Sequence, residues 1–135
     1  MQNTTTSSTY HGYTINTGKD NNLPCNTKTL YQLTDSIEHM TLNHSKVLAV
    51  RLDIHSEKIS ERTLTRREVT RAIENTKRKI NTKFKSSKNK PDLKVIVATE
   101  QTSAEANPHY HAMIFANGNA ITKQSCAVVC TGCNP

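Results

Sequence analysis

The chain reads as an α+β domain, a mainly antiparallel sheet with helices on one face. Three observations carry that reading. Two stretches repeat apolar residues at spacings of three and four, three others alternate or concentrate β-branched residues, and after a leading helix the order is strand, helix, strand, strand.

Residues 1–26 form a polar leader rich in Thr, Asn and Ser, punctuated by Gly12, Gly18 and Pro24, with no apolar period. Loop or disorder is expected there. From Thr27, Leu30, Leu33, Ile37 and Met40 make the stripe of a helix packed on one side, with Asn26 or Thr27 as its cap. Residues 46–54 follow as a strand in which Leu48, Val50, Leu52 and Ile54 alternate with Val47, Ala49, Arg51 and Asp53, so one face is expected to be buried. Thr65-Arg66-Arg67-Glu68 fits a capping box and starts a second helix near Arg66. Along it Val69, Ile73, Ile80 and Phe84 share one stripe, and Arg67, Arg71, Arg78 and Lys85 fall on the opposite side. A polar link at 86–91 leads to a β-branched strand at 93–100. The connector 101–108 then ends in Pro108, at the start of a third strand, 109–115. His109, His111, Met113 and Phe115 share one face of that strand, Tyr110, Ala112 and Ile114 the other, and Asn117-Gly118-Asn119 makes the closing turn. A sheet of three strands leaves edges with unpaired amides and an uncovered apolar face.

Composition sets bounds on this plan. At 135 residues the chain holds one domain at most, and 34% hydrophobic residues with a mean hydropathy of −0.65 imply a modest core beside irregular segments. No apolar run approaches the roughly 20 residues of a membrane-spanning helix, and the first residues carry neither the cations nor the apolar stretch of a secretory signal. A cytoplasmic protein of a bacterial host is expected. The divisions expected are the leader 1–26, a domain over 27–120, and a Cys-bearing tail over 121–135. Residues 58–94 hold 13 of the 18 Lys and Arg against four acids, so this segment accounts for more than the whole net charge of +7. Such an excess suits a polyanion, nucleic acid or an anionic membrane surface; a solvated Lys-rich helix carries the same charge. Cys126, Cys130 and Cys133 crowd the tail, with Cys25 distant. Their spacing fits a metal knuckle or a redox pair, or simply free thiols in an irregular tail.

The chemistry centres on two histidines. His109 and His111 at i and i+2 of a strand project from one face with Cα atoms roughly 6.5–7 Å apart, within reach of one cation. A partly exposed polar stripe has the same spacing. If strands 93–100 and 109–115 form a hairpin with Glu100 opposite His109, Ala98 lies opposite His111 and Glu100 joins the face of both histidines. A slip of one residue would turn Glu100 away. Two imidazoles and a carboxylate suit Mg²⁺ or Mn²⁺, although affinity alone would also admit Zn²⁺ or Ni²⁺. A metal beside a basic helix makes phosphate the natural ligand, and phosphodiester chemistry the leading idea.

Asn107-Pro108-His109-Tyr110-His111-Ala112-Met113-Ile114-Phe115, followed by Asn117-Gly118-Asn119-Ala120 and preceded by Ala98-Thr99-Glu100-Gln101, resembles the inovirus gene-two-type replication proteins, also called the YagK/YfjJ-type domain. These are relatives of the rolling-circle initiators with a His-hydrophobe-His motif. Val47 to Ile54 is similar to the first strand of that family, and the likeness spans about residues 27–120. The resemblance implies an HUH-endonuclease-like fold and a single-strand DNA endonuclease that starts rolling-circle replication of a phage or prophage. It also implies a metal on His109 and His111, with Glu100 matching a third ligand. In that superfamily a tyrosine on a helix beyond the histidines attacks the scissile phosphate. The chain has Tyr10, Tyr13, Tyr31 and Tyr110, and none after Tyr110. The nucleophilic position is therefore unmatched, and alternation turns Tyr110 away from the histidines. After Ala120 the likeness gives way to the Cys-bearing tail, as expected of a truncated or frame-altered initiator. The alternatives are a nicking enzyme completed from elsewhere, a non-catalytic DNA-binding module, and a remnant. The nucleotide sequence past the Ala120 codon is expected to encode a Tyr-bearing helix in some frame; a sequence encoding none would remove the truncation reading.

Overall fold

The computed structural model describes residues 3–55, 63–100 and 107–121. The tail cysteines Cys126, Cys130 and Cys133 and most of the 101–108 connector lie outside the described residues. Four two-residue strands, β1 (Thr4–Thr5), β2 (Thr9–Tyr10), β3 (Tyr13–Thr14) and β4 (Cys25–Asn26), precede helix α1 (Thr27–Asn43). Strand β5 (Val47–Ile54), helix α2 (Arg66–Lys83), and strands β6 (Lys94–Glu100) and β7 (His109–Asn117) complete the fold. No helix among the described residues is long and apolar enough to cross a membrane.

Both helices start where side chains satisfy their free amides. Asn26 takes the cap of α1, its Oδ1 accepting from the Thr29 amide at 3.1 Å. At α2 the capping box closes: the Glu68 amide donates to Thr65 Oγ1 at 3.3 Å, and the Thr65 amide donates to Glu68 Oε2 at 2.9 Å.

The main sheet has the order β5-β7-β6, antiparallel throughout. Strand β7 is central because both of its faces are apolar. On one face Tyr110 and Ala112, with Val95 and Val97 of β6 and Ile54 of β5, pack beneath Val69 and Ile73 of α2. On the other, Met113 and Phe115, with Ile96 of β6, pack beneath Leu33, Ile37 and Met40 of α1, where Met40 is fully buried. The helices therefore cover opposite faces, which corrects the expected placement of helices on one face. Tyr110, Ala112 and Ile114 need a cover as much as Met113 and Phe115 do, and one helix cannot supply both.

A second correction concerns β5. Its expected buried face is half open, with Val50 38% and Leu52 36% exposed. The α2 contacts lie over β6, β7 and the Ile54 end of β5, leaving the middle of this edge strand bare. The leader also differs from the loop or disorder expected of it. Strand β1 pairs with β4, and β2 pairs with β3 around a two-residue turn, His11-Gly12, with φ of 46° and 84°. Positive φ at both positions is what a two-residue hairpin demands, and glycine supplies it without strain. The amide and hydroxyl of Thr27 both donate to the Asn3 carbonyl, tying the leader to the start of α1.

The turn after β7 works as a buckle. Asn117 is buried; its amide donates to the Pro91 carbonyl at 2.7 Å, its Nδ2 to the Lys90 carbonyl at 3.1 Å, and its Oδ1 accepts from the Asn119 amide. The Gly118 amide donates to the Lys46 carbonyl at 2.8 Å, and a Cβ at Gly118 would lie 3.1 Å from Lys46 Cβ and 3.3 Å from its backbone. Asn119 Nδ2 reaches Ser45 Oγ at 3.1 Å. The Asn-Gly-Asn segment thus joins the segments leading into β5 and β6 to the end of β7.

Phe115→Ala is expected to cost about 3–5 kcal/mol by opening a cavity under α1, and Thr65→Ala about 1 kcal/mol by removing a cap. Urea unfolding of the two single variants checks the ranking; a Phe115 variant no weaker than the cap variant would contradict the assigned core.

Candidate functional site

Beyond the cover of α1, the face of the sheet carrying Met113 and Phe115 turns polar. Glu100 lies opposite His109 and Ala98 opposite His111, the register that puts the carboxylate on the histidine face. Strand β5 adds what the hairpin alone does not. Asp53 lies opposite His111 on its other side, and Arg51 opposite Met113. Alternation puts His55 on the same face, next to His109, with the two ring centroids 6.0 Å apart.

His111 sits between two carboxylates. Its Nδ1 is 2.6 Å from Asp53 Oδ1 and its Nε2 is 2.8 Å from Glu100 Oε2. Arg51 Nε donates to the same Asp53 oxygen at 3.1 Å. Hydrogen bonds to Asp53 first and Glu100 second raise the His111 pKa above its ordinary value, favouring the imidazolium. The His111 hydrogen bond, reinforced by Arg51, lowers the Asp53 pKa below the usual carboxylate range. Both groups are open to water, so the arrangement is screened and exchangeable rather than sealed.

As a metal centre the expected set of His109, His111 and Glu100 is only partly assembled. His111 and Glu100 are in contact and His109 faces Glu100 across the register, but both nitrogens of His111 already face carboxylates. Among the described residues, the three donors that lie within 4.8 Å of one another are those of His39, His44 and Asp92, a group that could hold a metal ion. It was not foreseen from the sequence, because Asp92 is 48 residues from His44 and no local spacing links them. There the His44 hydrogen bond, aided by His39, lowers the Asp92 pKa against the opposing effect of burial.

The basic residues are elsewhere. Arg67, Arg71, Arg78 and Lys85 are all exposed along α2, and Arg78 and Lys85 line a shallow depression of about 450 Å³ with Lys77. Because α2 covers the Tyr110 face, the sheet separates this surface from His109 and His111. A metal directly beside the basic helix, as the sequence suggested, is not the arrangement found. Arg66 is a brace instead: its Nη1 donates to Thr99 Oγ1 at 2.6 Å on edge strand β6. Tyr110 is 3% exposed, and its hydroxyl donates to the Leu64 carbonyl at 3.2 Å, on the α2 side.

Sequence reasoning missed Asp53 and His55, though the alternation of Val47, Ala49, Arg51, Asp53 and His55 put them on one face. What it lacked was the pairing of β5 with β7. Compared with known proteins, the chain matches no family model, no curated protein and no solved structure.

The His111–Asp53 interaction has a pH signature. A raised histidine pKa stabilises the fold fully below the unfolded value of about 6.5, and that contribution fades as pH rises through the folded value; a depressed aspartate pKa contributes above about 3.9 and fades as pH falls through the folded value. The stability advantage of the native chain over His111→Gln is therefore expected to be largest in mildly acidic solution and to decline toward alkaline pH. Urea unfolding of both proteins across that range checks it; an advantage that grew with pH would contradict the pairing.

Proposed function

We propose that this chain is a replication-initiator-like protein that binds single-stranded DNA. On this reading His109, His111 and Glu100 hold Mg²⁺ or Mn²⁺ on the sheet face, with imidazole nitrogen favouring Mn²⁺. The observation that carries it is the carboxylate flanking of His111. With its Nδ1–H donating to Asp53, the ring is held in the tautomer that aims Nε2 at Glu100, the way outer-shell carboxylates orient metal-binding histidines. A divalent ion there supplies polarisation of a phosphate oxygen. This chain's own residues do the rest: Asp53 fixes the ring, Glu100 and His109 flank its Nε2 side, and Arg51 adds positive charge beside Asp53.

The basic face of α2 lies across the sheet, so it holds a different stretch of the strand from the one at the histidines. Arg67, Arg71, Arg78 and Lys85 engage phosphates through charge, which makes binding salt-dependent and tolerant of sequence. Binding without a covalent link is favoured over nicking by this chain alone. Tyr110, the tyrosine adjoining the histidines in sequence, has its hydroxyl committed to the Leu64 carbonyl on the far face.

Incubation with a labelled single-stranded oligonucleotide and Mn²⁺ is expected to give a salt-sensitive shift that does not survive denaturation. An adduct that does survive would instead establish nicking, and no shift at low salt would remove the DNA reading. Replacing Arg67, Arg71 and Arg78 together is expected to weaken binding and flatten its salt dependence by about three counterions' worth of slope. For the metal, the His109→Ala/His111→Ala double variant is expected to lose Mn²⁺ binding at the sheet face. Unchanged paramagnetic broadening of Glu100 and Asp53 signals by Mn²⁺ in that variant would overturn the assignment.

A further inference from the structure

The opposite end of the sheet carries a second arrangement of donors. Helix α1 ends at Asn43, and His44 caps it in an extended conformation. His39 lies near the end of the same helix, and Asp92 follows buried Pro91, two residues before β6. His39 Nε2 is 2.8 Å and His44 Nε2 2.6 Å from one atom, Asp92 Oδ2, and the two rings stand edge-on with centroids 6.5 Å apart. Asp92 has a φ of 44°, a left-handed conformation uncommon for residues other than glycine. Here it accompanies a carboxylate turned to two imidazoles at once.

We propose that His39, His44 and Asp92 form a binding site for a divalent transition-metal ion of the Zn²⁺ type, which clamps the end of α1 to the start of β6. Two imidazole nitrogens and one carboxylate oxygen make a three-ligand set that Zn²⁺ completes with water in the fourth position. Mg²⁺ and Ca²⁺, which prefer oxygen, suit it less well. The side chains are 38%, 15% and 30% exposed, so an ion has a path in and the fourth position faces solvent.

Two further features point to a cation here. The last turn of α1 contains no basic residue, so the carbonyls at its negative end lack a cationic side chain. The segments that bring His44 and Asp92 together are also fixed independently of any ion. Lys46 accepts from Gly118, and Lys90 and Pro91 both accept from Asn117. The Asn-Gly-Asn buckle thus holds the donors close before an ion arrives, so little ordering accompanies binding. On coordination, each Nε2 gives up its hydrogen bond to Asp92 and binds through its lone pair, releasing to water any proton it carried.

None of these residues belongs to the proposed DNA site, so the two readings stand or fall separately. The test uses the full chain with Cys25, Cys126, Cys130 and Cys133 replaced by serine, so that thiolates cannot compete. One Zn²⁺ per chain is expected at this site by calorimetry, with a raised Tm, and Co²⁺ is expected to give a visible spectrum without sulfur charge transfer. Binding is expected to persist when His109 and His111 are also replaced. His39→Ala, on the solvent side of α1, and Asp92→Asn are each expected to weaken it at least tenfold, about what even an outer-shell partner contributes. Zn²⁺ is also expected to shift the ring NMR signals of His39 and His44 first, a readout that needs no variant. Unchanged Zn²⁺ affinity in His39→Ala, no binding to the Cys-free chain, or ring shifts confined to other histidines would each overturn the proposal.

Discussion

The fold depends on burying β7 from both sides. One strand carries Tyr110 and Ala112 toward α2, and Met113 and Phe115 toward α1. It also forms backbone ladders with β5 and β6 at once. An antiparallel sheet with one helix would leave one of these apolar rows in water, at roughly 25 cal/mol for each Å² left exposed. With a helix on each side, β7 becomes a rigid spine, and the polar residues at its start take their positions from it. His111 meets Asp53 on one side and Glu100 on the other because a central strand has two neighbours.

The same constraint divides the molecule electrostatically. The polar patch of Asp53, Glu100, His109 and His111 continues the face that α1 covers, whereas the cations of α2 point outward from the other. A phosphate chain drawn to α2 is not thereby delivered to the histidines. At the far end of β7 the Asn117–Asn119 turn ties both flanking links together, so residues that resembled a family motif near the chemistry serve the framework here.

What could be read from the sequence was local. The capping box at Thr65 and Glu68, the stripe of Leu33, Ile37 and Met40, and the hairpin register that puts Glu100 opposite His109 all follow from spacing within a few residues or between neighbouring strands. What escaped was non-local. The pairing of β5 with β7 spans 58 residues between Asp53 and His111, and no periodicity encodes it. The helices on opposite faces were in principle legible, since Tyr110, Ala112 and Ile114 made the second face of β7 as apolar as the first. The leader was misread because a His-Gly turn between tyrosines is a weak signal beside so many polar residues. The convergence of His39, His44 and Asp92 needed both long-range packing and a left-handed aspartate.

The central claim is that three strands hold His111 between two carboxylates, and the most direct measurement is the ring nitrogen NMR spectrum of His111 across pH. An imidazolium that persists above the ordinary histidine range of about 6.5, with titration returning toward that value in Asp53→Asn, is the result the account predicts. A His111 ring that titrates at the ordinary value and does not respond to Asp53→Asn would contradict it.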